Sequence, residues 1–288
     1  GKHLKVFRIS PVDGAEIFTY ILSFVFGTVI GSFLNVCIYR LPREESIAYP
    51  GSHCVSCNEP ISFYNNIPIL SYLFLKGKCS KCNSEISLRY PLVEILTGLL
   101  FVATVLSFGL SIETLFYLIF ISALITITFI DFKHMIIPNV ITYPGILVGI
   151  LYNALRTDWN YSLDLISNFD LGMQNFFSLL SEVPILDSIF GVVLGGGLLL
   201  LIAYSYEVIK KRQGMGMGDV KLLAMIGAFF GWEGVLFVIF LASILGSVIG
   251  ISIIIAKRGD LKYALPFGPF LSIAAIIYIF TGGFKLFL

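Results

Sequence analysis

Long, nearly uncharged apolar stretches constrain this chain more than any other feature of its sequence. The 288 residues are 57% hydrophobic and 13% charged, whereas a soluble domain carries about 25% charged residues. A membrane-spanning helix needs about 20 mostly apolar residues, and eight stretches approach or reach that length, the sixth being short enough for a half-helix. They lie at approximately 16–38, 91–109, 112–131, 137–155, 186–206, 219–232, 234–256 and 264–286. The sequence therefore predicts an all-α polytopic membrane protein with about eight transmembrane helices.

Lysines and arginines in the connecting segments predict the orientation, because cytosolic loops are enriched in them. The segments after the first, fifth and seventh stretches are basic, and their positive residues include Arg40, Arg43, Lys76, Lys78, Lys81, Arg89, Lys210, Lys211, Arg212, Lys257, Arg258 and Lys262. The segment at about 156–187 has one arginine against five acids. With eight spans, the three basic segments face the cytosol and the acidic one faces the other side. The basic residues at the N-terminus fit this orientation less well.

This topology predicts four regions. Residues 1–15 form an N-terminal tail, 16–38 the first transmembrane helix, 39–90 a small cytosolic domain with four cysteines, and 91–288 a transmembrane domain with a non-cytosolic insertion at about 156–187. The net charge is only +1, so nothing indicates nucleic acid as a partner.

The cytosolic segment contains two Cys-x-x-Cys pairs, Cys54 with Cys57 and Cys79 with Cys82. This spacing is close to the four-cysteine zinc pattern, in which each pair offers two thiolates to one tetrahedral ion. Bound zinc would give a short loop of modest apolar content a folding nucleus. Two disulfides are an alternative that a reducing cytosol disfavours, and a redox pair is a second alternative. The sequence favours structural zinc.

Two aspartates lie at the ends of apolar stretches. Asp131 ends the run that begins at Leu124, and Asp219 follows a glycine-rich loop that contains Gly214, Gly216 and Gly218. An ionisable group within the bilayer costs roughly 2.5–3.5 kcal/mol on insertion scales and is usually functional. The predicted topology places both aspartates at the cytosolic ends of their helices. A helix cap for Asp219 and a surface charge for Asp131 are the alternative structural interpretations.

Two carboxylates within hydrogen-bonding range cannot both be ionised cheaply, so they share a proton. The ionised member can take a proton from water while the protonated member polarises a peptide carbonyl, which is the chemistry of aspartic proteases. The glycines of the loop would let a substrate strand approach the backbone closely. The pattern thus indicates a paired-carboxylate protease built in a membrane.

The stretch Gly214-Met-Gly-Met-Gly-Asp219-Val-Lys221 resembles the signature of the bacterial type IV prepilin peptidases, which are bifunctional leader peptidases and N-methyltransferases. Further blocks follow in the family order, so the resemblance covers nearly the whole chain from about residue 25, although the stretch at about 156–187 lacks the family pattern. These blocks lie at 31–42, 66–72, 77–79, 86–94, 130–139 and 266–269.

The resemblance implies that Asp131 and Asp219 are the catalytic pair of a GxGD aspartic protease in the bacterial inner membrane. Such an enzyme cuts prepilins or pseudopilins at the cytosolic face, ahead of an apolar helix, and methylates the new N-terminal amine with S-adenosylmethionine. The methyl transfer is associated with the cysteine domain, where Gly77 and Lys78 are candidates.

We further expect Lys221 or Lys133 to pair with the glutamate that prepilins carry just inside the mature segment, although a snorkelling lysine is an equal alternative. Two other functions stay open at this point: a prepilin peptidase without methyltransferase activity, and a transporter that relays protons through intramembrane aspartates.

Overall fold

A computed structural model describes residues 13–167, 172–210, 216–256 and 265–283. The described chain is helical and contains no named strand, only isolated bridges between His53 and Pro60 and between Lys78 and Glu85. The helices are α1 (Gly14–Arg40), α2 (Leu70–Phe74), α3 (Arg89–Phe108), α4 (Ile112–His134), α5 (Asn139–Arg156), α6 (Trp159–Ser167), α7 (Met173–Glu182), α8 (Pro184–Lys210), α9 (Met217–Ala256) and α10 (Gly268–Thr281). The predicted all-α class is confirmed.

Each of the eight predicted stretches overlaps a helix of the described chain, with α9 containing the sixth and the seventh. Among the described residues, five helices are long and apolar enough to cross a membrane, namely α1, α3, α4, α8 and α9, and α10 is a shorter apolar helix. The chain is therefore a multi-pass membrane protein. The count of eight crossings stays a prediction, as do the four predicted regions.

The chain divides into two compact units. The first comprises residues 1–36 and 48–114, and the second comprises residues 37–47 and 115–288. In the first unit, α1 and α3 approach so closely that a Cβ on Gly31 would lie 2.7 Å from the Cα of Glu94. Asn35, also on α1, donates from Nδ2 to the carbonyl of Tyr90 at 3.0 Å. These contacts fix the register of α1 against the first turns of α3.

In the second unit, α9 packs against α5, α8 and α10. Aromatic side chains fill its core, where the ring of Phe120 stacks on that of Phe229 with centroids 4.1 Å apart. Gly191 of α8 and Gly227 of α9 let these two backbones touch, since a Cβ on either would overlap the other's carbonyl. Small residues commonly permit such close crossings between helices in membranes.

A break at Gly231 interrupts α9, with φ +68° and ψ −164°. A residue with a side chain rarely adopts this conformation, and a Cβ there would also overlap the carboxylate of Asp187. The break separates residues 217–230 from 232–256, two residues before the gap between the predicted stretches at 219–232 and 234–256.

Side chains from neighbouring helices satisfy the backbone groups that the break exposes. The Nδ2 of Asn153 and the hydroxyl of Ser188 donate to the carbonyl of Ala228 at 2.9 and 2.7 Å, and the N–H of Trp232 donates to Asp187 Oδ1 at 3.0 Å. Such compensation is needed because an unsatisfied backbone group in a bilayer costs several kcal/mol.

Candidate active site

The predicted pair of aspartates lines one cavity of about 280 Å³ in the second unit. The cavity lies between the end of α4, the segment that follows it and the start of α9. Its described lining residues are Asp131, Met135, Ile136, Ile137, Gly216, Met217, Gly218, Asp219 and Lys221. Residues 88 positions apart in sequence are thus brought to one site.

Asp131 lies in the last turn of α4 and is 5% exposed. Its Oδ2 accepts a hydrogen bond of 3.1 Å from the N–H of Gly268, the first residue of α10. The first N–H groups of a helix lack intrahelical acceptors and carry partial positive charge, so they stabilise a carboxylate. A Cβ at position 268 would lie 2.6 Å from the same oxygen, and only glycine leaves room for this contact.

Asp219 lies in the first turn of α9, with its N–H donating to the carbonyl of Gly216 at 3.2 Å. The predicted loop glycines differ in their surroundings. Gly216 is exposed at the cavity, whereas Gly218 packs on Ile137, whose Cβ would lie 2.9 Å from a Cβ at position 218. Gly218 therefore lets α9 approach the segment after α4. The third predicted glycine, Gly214, lies outside the described residues.

The two predicted substrate lysines have different positions. Lys221 lines the cavity, donates from Nζ to Asn139 Oδ1 at 2.8 Å, and lies 5.4 Å from the centre of the Tyr143 ring. Lys133 is exposed on α4 and is not among the described lining residues. The structure thus brings Lys221, but not Lys133, to the aspartates.

In the first unit, the four predicted cysteines converge, with all four Sγ atoms within 4.8 Å of one another. The Sγ atoms of Cys54 and Cys82 are 3.9 Å apart. A tetrahedral zinc site with Zn–S bonds near 2.3 Å would place its sulfurs roughly 3.8 Å apart. Cys54, Cys57, Cys79 and Cys82 are all free thiols. They therefore fit one tetrahedral metal ion and are not paired as disulfides.

The two cysteine pairs have the same backbone geometry. The N–H of Cys54 donates to the carbonyl of Glu59, and that of Cys79 to the carbonyl of Ser84, both at 2.9 Å. An asparagine with positive φ follows each pair, Asn58 at 58° and Asn83 at 56°. Backbone N–H groups also point at the sulfurs: those of Cys57 and then Ser56 lower the pKa of Cys54 to about 6. At Cys54 these contacts favour the thiolate, which is the metal-binding form, whereas desolvation and the neighbouring sulfurs raise the pKa of Cys57.

Gly77 and Lys78 directly precede the second cysteine pair. Gly77 has φ +70°, donates its N–H to the carbonyl of Tyr72 at 2.9 Å, and accepts from the N–H of Ile86 at 2.7 Å. A Cβ at position 77 would lie 2.9 Å from the hydroxyl of Tyr72. The candidate methyl-transfer residues thus occupy a tight turn against Tyr72.

The sequence did not predict two polar contacts near these sites. One is the N–H of Gly268 at Asp131, although the glycine lies in a recognised sequence block. The other is Glu94, 7% exposed, whose Oε2 accepts from the N–H of Ile69 at 2.7 Å. An acid at the start of an apolar stretch is the signal that could have identified Glu94, since it resembles the signal that identified Asp131.

Comparison with known proteins places these features in a family. The family model described as "Bacterial Peptidase A24 N-terminal domain" matches residues 25–108, and that of the "Type IV leader peptidase family" matches residues 118–251. No solved structure matches the chain.

Curated relatives cover almost the whole chain and carry the name "Prepilin leader peptidase/N-methyltransferase". The relative from Aeromonas salmonicida is 35% identical over 91% of this chain and 90% of its own length. The relative from Neisseria gonorrhoeae is 35% identical over 90% and 89%, and that from Pseudomonas aeruginosa is 30% identical over 89% and 88%. On this similarity and these domain matches, the chain belongs to the type IV leader peptidase family.

Proposed function

We propose that this protein removes the leader peptide from type IV prepilins or pseudopilins and then N-methylates the new N-terminal residue, with S-adenosylmethionine as the methyl donor. The observation that carries the proposal is the convergence of Asp131 and Asp219 on one cavity. The names of the relatives support both activities. The alternatives, a peptidase alone or a proton-relaying transporter, have no comparable support.

The carboxylate pair would cleave a peptide bond without a covalent intermediate. The ionised member takes a proton from a water molecule, whose oxygen attacks the carbonyl carbon, while the protonated member donates to the carbonyl oxygen. The resulting diol collapses when a proton is returned to the leaving nitrogen and the C–N bond breaks. The Gly268 N–H holds one oxygen of Asp131, which fixes the direction in which this carboxylate faces the cavity.

The substrate fits the predicted location of the site. A prepilin has a basic leader followed by an apolar helix, so its scissile bond lies at the cytosolic surface of the membrane. The distribution of lysine and arginine along the chain predicts that both aspartates lie at that surface. We therefore place the enzyme in the bacterial inner membrane, with the bilayer and the precursor as its partners.

Lys221 is the better of the two lysines for binding the glutamate of the mature prepilin segment. It lies at the cavity and contacts neutral groups, the Asn139 amide and the Tyr143 ring. Lys221→Glu should slow cleavage of precursors with that glutamate more than cleavage of precursors in which it is alanine. An equal loss for both substrates would contradict this role. Lys133→Glu is the control, because it makes the same charge reversal at an exposed lysine outside the described cavity lining.

The cysteines Cys54, Cys57, Cys79 and Cys82 would hold zinc. Four thiolates leave no open coordination position, so this metal would be structural and would fix the fold of its loop. S-adenosylmethionine would supply an electrophilic methyl group to the free amine. Gly77 and Lys78, held against α2 and the second cysteine pair, are the residues we propose for the methyl-transfer site.

The test is incubation of the purified protein in detergent with a prepilin and labelled S-adenosylmethionine, followed by mass analysis of the pilin N-terminus. We expect a shortened pilin that carries one labelled methyl group. Asp131→Asn and Asp219→Asn should each abolish cleavage. An uncut precursor with the wild-type protein would refute the peptidase, and a cut but unlabelled pilin would refute the methyltransferase.

A further inference from the structure

The carboxylate of Glu94 connects a membrane helix to the loop that carries the cysteines. We propose that Glu94 is a positioning residue for methyl transfer: it anchors residues 69–77, here called the strap, from which the chain enters the second cysteine pair. The proposal rests on the N-methyltransferase activity proposed above. It assigns Glu94 no part in peptide cleavage, because the aspartates belong to the other compact unit.

Glu94 is itself held firmly. It lies in the second turn of α3 and is 7% exposed. Its Cα faces Gly31 of α1 at a distance that excludes any side chain at position 31, and Asn35 bonds the same helix one turn earlier, at the carbonyl of Tyr90. The carboxylate therefore projects from a rigid base formed by two packed helices.

The carboxylate is bonded by the side chain of Ser32 on α1 and by the start of the strap. The N–H of Ile69 donates to Glu94 Oε2 at 2.7 Å, and Ile69 has φ +62° and ψ −52°. A β-branched residue at positive φ is strained and persists only where surrounding contacts hold it. The hydrogen bond to a buried carboxylate supplies such a contact. Without it, we expect Ile69 to relax toward negative φ and to redirect the short helix α2 that follows.

The far end of the strap is Gly77. Tyr72 of α2 accepts the N–H of Gly77 at 2.9 Å and covers it with its ring hydroxyl. The carbonyl of Gly77 in turn accepts from Ile86, beyond the second cysteine pair. A change of direction at Ile69 is thus transmitted through α2 to Gly77 and Lys78, the residues proposed for methyl transfer.

The experiment compares Glu94→Ala, Glu94→Gln and Glu94→Asp in the full-length enzyme, with cleavage and methylation rates measured separately on one prepilin. Glu94→Ala should lower the methylation rate by about tenfold or more, as expected for loss of a hydrogen bond to a charged group, and should raise the KM for S-adenosylmethionine. Cleavage should stay within about twofold of wild type, a range that corresponds to well under 1 kcal/mol.

The conservative variants separate positioning from charge. Glutamine keeps an acceptor oxygen at the same reach and should restore most of the methylation. Aspartate keeps the charge but withdraws it by about 1.5 Å, the length of one C–C bond, and should behave like alanine. Glu45→Gln removes an exposed carboxylate from the segment between α1 and the first cysteine pair and should leave both rates unchanged. The zinc content of each variant shows whether the cysteine loop is still folded.

Three results would overturn the role of Glu94. Methylation by Glu94→Ala at the wild-type rate would show that the anchor is dispensable. Parallel loss of cleavage and methylation would show that Glu94 supports the whole protein. Activity in Glu94→Asp but not in Glu94→Gln would show that its charge matters and its reach does not. If the wild-type enzyme cleaves but does not methylate, the proposed second activity fails, and this role fails with it.

Discussion

A methyl group at position 268 would lie 2.6 Å from Asp131 Oδ2 and 3.1 Å from Ile137 Cδ1, and the first of these contacts is shorter than folded proteins tolerate. In Gly268→Ala, either the carboxylate or the start of α10 must therefore move, and the 3.1 Å hydrogen bond from the residue 268 N–H is lost or bent. A hydrogen bond to a charged group contributes about 1.5–3 kcal/mol. Since 1.36 kcal/mol corresponds to a factor of ten in rate, we expect kcat/KM for prepilin cleavage to fall by about 10- to 100-fold.

The assay is cleavage of a purified prepilin at substrate concentrations below KM, followed on gels or by mass spectrometry. Gly246→Ala is a matched control, because it is also a glycine-to-alanine change where α9 meets α10, and its nearest neighbour, Phe270 Cδ2, is at 3.5 Å, an ordinary contact. Methylation of an already cleaved pilin should be normal in both variants. Cleavage by Gly268→Ala within twofold of wild type would refute the inference that this backbone N–H sets the position of Asp131.

Three further predictions concern the metal, the break in α9 and the glycine loop. Removal of bound metal with a strong chelator should abolish methylation before cleavage, because the cysteines belong to the other compact unit; full methylation by protein shown to be metal-free would contradict this. Asn153→Ala should lower the unfolding free energy by about 1–3 kcal/mol, because carbonyls at the break lose a hydrogen-bond donor. Thermal melting in detergent measures this change, with Ser178→Ala at an exposed site as the control. Gly218→Ala should slow cleavage because its Cβ would meet Ile137, whereas Gly197→Ala, with nothing within 4 Å, should not; equal rates would exclude this steric effect.

The features that the sequence predicted well are those encoded locally. Spacing alone brings Cys54 to Cys57 and Cys79 to Cys82, because each pair lies within one turn of chain that closes on itself. The division of the long apolar run into stretches at 219–232 and 234–256 leaves out Glu233, and the observed break lies two residues earlier, at Gly231. In both cases the residues that form the structure are neighbours in the sequence.

The features that the sequence did not predict depend on contacts between distant segments. Gly268 meets Asp131 across 137 positions, and nothing about a glycine in an apolar stretch identifies the side chain it will face. The glycine repeat in the sequence likewise does not predict that Gly216 and Gly218 have different surroundings. They arise because the segment after α4, with Met135 at φ +54°, folds back against only one of the two.

An acidic residue near the end of an apolar helix has one of two roles in this protein, capping a backbone N–H or taking part in catalysis. Glu94, Asp131 and Asp187 each accept a backbone N–H at or beside a helix start, at 2.7, 3.1 and 3.0 Å respectively. Such caps are needed because an unpaired N–H that is shielded from water costs free energy comparable to a lost hydrogen bond. Burial of an acid therefore does not by itself indicate catalysis, and Asp131 differs in sharing its cavity with a second carboxylate, Asp219. A cap needs only an acceptor oxygen, whereas proton transfer needs an acid that can ionise. Asp187→Asn should therefore keep most of the cleavage activity while Asp131→Asn loses it, and equal loss in the two variants would show that the acid at the Gly231 break also takes part in the chemistry.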